Sequence, residues 1–308
     1  MSIFLSLFVN LLPLYALIGA GYFAGRVLKV DRQSLGSLAI YLFMPVVVFG
    51  SVANLDFKPS YIALPLFIYV VSTVVGLIFL KIGRRIYRDA QGNLMAMCAS
   101  MGNTGYFGLP LIFLFFDEKA VAIYIFMMLG GLMYEATVGY YIAARGAFTA
   151  RESLIKLVKF PTIYAMAAGF LVNYLDIELP DIFWTYWTHF KGAYVIVGMM
   201  IVGAALSTLD RFVFGPRFIA LVFAGKFVAW ITLAFGFVLL DRHVLHWFSS
   251  EVQDLVMVMA LVPPAANIAT FATQMNLEPE KAATTILIGT IFALFYIPAM
   301  IWVLGIGI

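Results

Sequence analysis

Two stretches of this sequence place a side-chain amide beside helix breakers in the middle of an apolar run. The first reads Gly102-Asn103-Thr104-Gly105-Tyr106-Phe107-Gly108-Leu109-Pro110, and the second Pro263-Pro264-Ala265-Ala266-Asn267-Ile268-Ala269-Thr270. Gly105 and Gly108 permit backbone shapes that other residues resist, and Pro110 suits the first turn of a new helix. Thr270 follows Asn267 by three residues, a spacing that puts both on one helical face. A helix broken inside hydrocarbon leaves N–H and C=O groups that lipid cannot satisfy, so a break survives only where it is buried in protein or lines a wet cavity. The half-helix that restarts offers free N–H groups and a positive dipole end, which can hold a carboxylate without burying a cation. Asn103, Thr104, Gly105, Gly108, Pro110, Pro263, Pro264, Asn267 and Thr270 are therefore the candidate substrate-binding residues. Either stretch alone also reads as a proline kink with packing glycines. The pair, one in each half of the chain, points to the binding site of a secondary transporter.

Two charges lie inside apolar runs, Glu135 and Lys226. Charges at membrane depth are costly and face a bundle interior or a cavity. Glu135 falls about two turns and Lys226 about three turns from the same membrane side, so a pair is geometrically possible. A charge relay or a substrate counter-charge is the functional reading. An ion pair locking two helices, or Lys226 snorkelling to the interface, is the structural one. Pro45, after Tyr41-Leu42-Phe43-Met44, is a candidate cavity wall, with an inert kink as the alternative. Catalytic machinery is not evident: the sequence holds no Walker loop, dinucleotide fingerprint, HExxH or nucleophile–base constellation. With three histidines and a single cysteine, Cys98, neither a zinc site nor an internal disulfide is expected, and no cofactor is called for.

The elements that must position these residues follow from composition. The 308 residues are 64% hydrophobic and 11% charged, with mean hydropathy +1.00. A soluble domain carries roughly 25% charged residues. The expectation is an all-α protein of the lipid bilayer with ten transmembrane helices, near 7–25, 34–53, 61–81, 93–116, 119–142, 160–175, 191–208, 216–240, 251–274 and 281–304. The broken stretches fall in the fourth and ninth. The net charge of +3 belongs to topology and gives no reason to expect nucleic acid. Arg26, Lys29, Arg32, Lys81, Arg84, Arg85, Arg88, Arg145, Arg151, Lys156, Lys159, Arg211, Arg217 and Lys281 fall on one side, against Lys58, Lys119, Lys191 and Arg242 on the other. The positive-inside rule puts the first set in the cytoplasm and both termini outside. No Lys or Arg precedes the first apolar run, which reads as a span rather than a cleaved signal. The link 143–159 divides the chain into repeats 1–142 and 160–308, five spans each. An odd number per half inserts the halves in opposite orientation, the geometry of an inverted repeat. The segment 176–190, with Trp184, Trp187 and His189, is expected to lie along the membrane interface as a loop. Gly21 and Gly25 form a GxxxG that suits close helix packing.

At Asn103-Thr104-Gly105-Tyr106-Phe107-Gly108-Leu109-Pro110, and again at Pro263-Pro264-Ala265-Ala266-Asn267 with the following Met275-Asn276-Leu277-Glu278-Pro279-Glu280, the chain resembles the auxin efflux carrier family. That family includes the plant PIN-FORMED auxin exporters and bacterial permeases for small carboxylates such as malate or malonate. The resemblance covers essentially the whole chain. It implies a fold similar to sodium/proton antiporters and bile-acid symporters, with spans one, two, six and seven as scaffold and the other six as a transport domain that moves like an elevator. It implies Asn103 and Asn267 at the substrate, and a homodimer. The central link is short and the third span holds no acidic residue, unlike the plant carriers. The size and short loops resemble bacterial members, which implies the inner cell membrane. The resulting expectation is a permease for a small organic anion, auxin-like, malate-like or malonate-like, running as a uniporter or linked to protons. A membrane sensor that binds the same ligand without moving it is the alternative from another class.

Overall fold

The computed structural model describes residues 3–87, 90–144, 160–207, 211–275 and 277–307. Most of the expected linker 143–159, with Arg145, Arg151, Lys156 and Lys159, lies outside them, as does Arg88. Secondary structure among the described residues is helical, apart from one isolated two-residue bridge. In chain order the helices are α1 (Ile3–Arg26), α2 (Arg32–Ala53), α3 (Pro59–Ile86), α4 (Gln91–Ser100), α5 (Thr104–Phe115) and α6 (Glu118–Ala143). They continue as α7 (Pro161–Tyr174), α8 (Asp181–Ser207), α9 (Pro216–Leu245), α10 (Ser250–Leu261), α11 (Ile268–Gln274) and α12 (Pro279–Leu304). Seven of them, α1, α2, α3, α6, α8, α9 and α12, are long and apolar enough to cross a membrane. The two broken stretches each split into a pair of short helices, α4 with α5 and α10 with α11.

Local chemistry sets the helix ends. Asp31 caps α2, accepting from the Gln33 and Ser34 N–H groups at 3.2 and 2.8 Å. Asp117 caps α6 through the Ala120 N–H at 2.9 Å. Each cap satisfies N–H groups that the first turn of a helix leaves open.

Small residues decide which helices touch. Along the α1–α8 seam, Gly21 sits against the Met200 carbonyl and Gly203 against the Ile18 carbonyl, with no room for a Cβ at either. Gly25 meets Ser207 on the same seam, so the GxxxG does pack a helix pair. On the α2–α7 seam a Cβ at Gly169 would lie 2.8 Å from the Phe49 carbonyl oxygen, and the Asn173 amide donates to the Ala53 and Leu55 carbonyls, each at 3.0 Å. Helix α3 packs on α4 where Gly83 faces Gly92, and on α6 where Gly130 faces Pro65. Helix α9 packs on α10, and on α12 through Phe227, Phe292 and Tyr296. The mutual approach of backbones at glycine is how apolar helices gain contact without a hydrophobic drive between them.

One expectation is corrected. The loop 176–190 does not exist as such: α8 begins at Asp181, directly after Pro180, and carries Trp184, Trp187 and His189. Trp187 is buried within the protein. Its indole lies against Gly50 and donates to the Val47 carbonyl at 3.1 Å.

Among the described residues, five helical turns are wound wider than the α-helix, with π geometry: Ala39–Phe43 in α2, Thr104–Gly108 in α5, Glu135–Gly139 in α6, and Ala224–Ala229 and Asp241–Leu245 in α9. Such turns are frequent at functional sites. Glu135 and Lys226 each sit in one.

Candidate functional site

The two broken stretches meet. Gly102 pairs antiparallel with Pro264. The Asn103 N–H donates to the Pro263 carbonyl at 2.8 Å, and the Ala265 N–H to the Met101 carbonyl at 3.0 Å. Each break thus satisfies one N–H and one carbonyl of the other. The adjacent prolines contribute twice: they end α10, and they remove two N–H donors that would otherwise need partners at depth.

A cavity of about 150 Å³ opens beside this crossing. Of the residues expected from the sequence, Asn103, Thr104, Gly105, Glu135, Lys226 and Asn267 line it. The others do not. Pro263 and Pro264 build the backbone frame, and Pro264 packs on Gly289. Gly108 is buried against the Tyr124 hydroxyl, and Pro110 is buried inside α5. Thr270 is exposed, and its N–H donates to the Asn267 carbonyl at 2.9 Å. In α2 the wall is made by Ile40 and Met44, while half-buried Pro45 follows one residue behind.

The polar atoms are arranged unevenly. The Asn267 amide nitrogen donates to the Glu135 carboxylate at 2.7 Å. Its oxygen is buried with no partner in the protein, and so is the amide nitrogen of Asn103. Leaving such a group unsatisfied costs about 1–3 kcal/mol. Unpaired amide atoms on two residues lining one cavity are places for a ligand or ordered water to complete.

Lys226 does not snorkel. It is 1% exposed, and its ammonium donates to the Ala260 carbonyl at 3.2 Å and lies 4.9 Å over the Trp230 ring. Trp230, one turn on, donates its indole N–H to the Ser100 carbonyl at 3.1 Å. One face of α9 therefore serves the C-terminal ends of two half-helices, Lys226 at α10 and Trp230 at α4. The Ser100 hydroxyl in turn lies 2.7 Å from the Tyr134 hydroxyl. Glu135 and Lys226 line the same cavity, the first holding Asn267 and the second holding Ala260 and Trp230.

Sequence reasoning missed three contributors. Trp230 was findable as the i+4 neighbour of an intramembrane lysine. Tyr194 of α8 lines the cavity with its hydroxyl close to Gly105, where a Cβ would lie 3.3 Å away, and nothing in its local sequence marks it. Arg32, at the start of α2, reaches the Ala266 carbonyl of the second break at 3.0 Å.

Comparison with known proteins points to membrane transporters. A family model described as membrane transport protein matches residues 6–301. The chain is 25% identical over 304 residues to an uncharacterized transporter of Methanocaldococcus jannaschii, an alignment covering 94% of this chain and 96% of the relative. A match over nearly the whole length, on a helical membrane protein with two broken segments crossing at a cavity, settles the assignment: the chain belongs to the membrane transport protein family, that of the auxin efflux carriers.

Proposed function

We propose that this protein is a secondary transporter for a small organic anion, a mono- or dicarboxylate, bound at the crossing and carried by alternating access. The observation that carries the reading is the unsatisfied amide nitrogen of Asn103, a donor, in a cavity that also holds the buried ammonium of Lys226; the unsatisfied Asn267 oxygen is an acceptor and suits a hydroxyl of the cargo or a water. An anion near a fixed cation and an amide donor replaces the hydration it gives up. A cavity of about 150 Å³ matches the size that accommodates one benzene ring, which favours compact carboxylates over bulky ones.

Counting each broken pair as one span and α7 as a short one gives ten spans in two halves of five. Equivalent seams recur in the two halves: α1 on α8 matches α7 on α2, and α3 on α4 matches α9 on α10. In this reading α1, α2, α7 and α8 form a scaffold and the rest an elevator-like transport domain. The polar ties across that boundary include Tyr15 to the Thr290 carbonyl at 2.7 Å, Arg32 to Ala266 and Lys191 to Glu118 at 3.2 Å. An inner-membrane location, external termini and a homodimer complete the proposal, with uniport or proton linkage as the coupling.

The test is reconstitution and solid-supported-membrane current recording against a panel of aliphatic and aromatic carboxylates, with Asn103→Ala and Asn267→Ala proteins alongside. A substrate-specific current lost in both variants is expected. Carboxylate binding by calorimetry without flux, measured as current or as radiolabel uptake, overturns the reading in favour of a sensor.

A further inference from the structure

Lys226 occupies a position whose electrostatics suit a free cation. The last four carbonyls of a helix lack intrahelical partners and carry negative partial charge. One such end lies at Lys226, that of α10, which ends at Leu261; the end of α4 at Ser100 lies one turn further along α9, where the Trp230 indole takes it. The ammonium donates to Ala260 of α10 at 3.2 Å. It also lies 3.2 Å from the point where a Cβ on Gly102 would stand, beside the main-chain crossing itself. The absence of a side chain at Gly102 makes the room it uses. In carriers built from broken helices, half-helix C-terminal ends and unwound carbonyls are where a coupling sodium or proton binds. In this protein a side chain of α9 brings the positive charge instead, covalently attached and buried.

We propose that Lys226 is a tethered cation that holds the place of a coupling ion, so that the carrier works without sodium, and that removing its side chain opens a site for a free monovalent cation. The inference rests on the reading of the crossing as a carrier site, but its test needs no substrate.

The unfolding temperature of the full-length protein in lipid nanodiscs is measured in sodium chloride and in choline chloride at equal ionic strength, for the wild type, Lys226→Ala and Lys226→Gln. The wild type is expected to unfold at the same temperature in both salts. Lys226→Ala is expected to show a saturable rise of a few degrees with sodium, the signature of a ligand that binds the folded state. Lys226→Gln, whose amide still fills part of the space, is expected to show a smaller rise. Saturable stabilisation of the wild type by sodium overturns the proposal. So does a folded Lys226→Ala protein that is indifferent to sodium, lithium and potassium. Failure of both variants to fold in any of these salts also overturns it, because no free cation then replaces the ammonium. Carboxylate currents bear on the carrier reading and are recorded separately, so the two ideas fail separately.

Discussion

The Asn267 amide donates to the Glu135 carboxylate at 2.7 Å, tying the break in the second half of the chain to a long helix of the first. The contact decides which atom of the amide is spent on the protein and which is left over. Glu135 is thereby a positioning residue for Asn267. Glu135→Ala removes a hydrogen bond to a charged group, worth about 1.5–3 kcal/mol, and the half-saturating carboxylate concentration should rise roughly 10- to 100-fold. Glu135→Gln keeps an acceptor and should lose less. The concentration dependence of the current reads both, and an unchanged half-saturation in Glu135→Ala would show that the contact does not position the site.

Helix α1 meets α8 at glycine, and the seam should be intolerant of bulk. In Gly203→Ala the new methyl runs into the Ile18 carbonyl, a backbone atom that cannot step aside. Overpacking of this kind costs about 1–3 kcal/mol, visible as a lower unfolding temperature in nanodiscs. Gly36→Ala, on α2, meets nothing within 4 Å. It should be neutral or gain about 0.5–1 kcal/mol through helix propensity. Equal effects of the two substitutions would contradict the seam.

Trp230 has two separable roles, a hydrogen bond to Ser100 and a ring beneath Lys226. Trp230→Phe keeps a ring and strands the Ser100 carbonyl, at a cost of about 1–3 kcal/mol. Trp230→Leu loses the ring as well and should be the less stable of the two by thermal unfolding. A Trp230→Phe protein as stable as wild type would mean that water replaces the indole.

Acid should loosen the start of α2 through Asp31. The Ser34 hydroxyl and the N–H groups of Ser34 and Gln33 hold its carboxyl below the usual aspartate value of 3.8. Because the folded value is the lower one, the cap is fully present above the ordinary value and is lost as pH falls through the lowered one. At neutral pH, hydrogen exchange at Gln33 and Ser34 should be faster in Asp31→Ala than in wild type. Acidification should bring the wild type to the level of the variant only below the ordinary aspartate range. Faster exchange in wild type already near pH 5 would contradict this cap.

The breaks were legible in the sequence because proline, glycine and asparagine act on their own local backbone. What the breaks touch was not legible. Glu135 and Asn267 are separated by 132 positions, and no periodicity links them. Thr270, three residues beyond Asn267, is exposed, and its backbone N–H is what meets Asn267. Trp187 was read from its type, which favours interfaces, whereas its place is set by Gly50 on a helix far away in sequence. The π turns holding Glu135 and Lys226 have no compositional mark in the sequence.

The bridge between Gly102 and Pro264 is written in main-chain atoms, which every amino acid but proline supplies alike. Side chains at 103, 104 and 267 can therefore be exchanged while the frame that presents them stays in register. On the proposed carrier reading, these are the positions where a substitution would retune the cargo without removing a bond of the frame. The exception is itself informative, because proline at 103 would delete the N–H that reaches Pro263 and so break the frame rather than retune it.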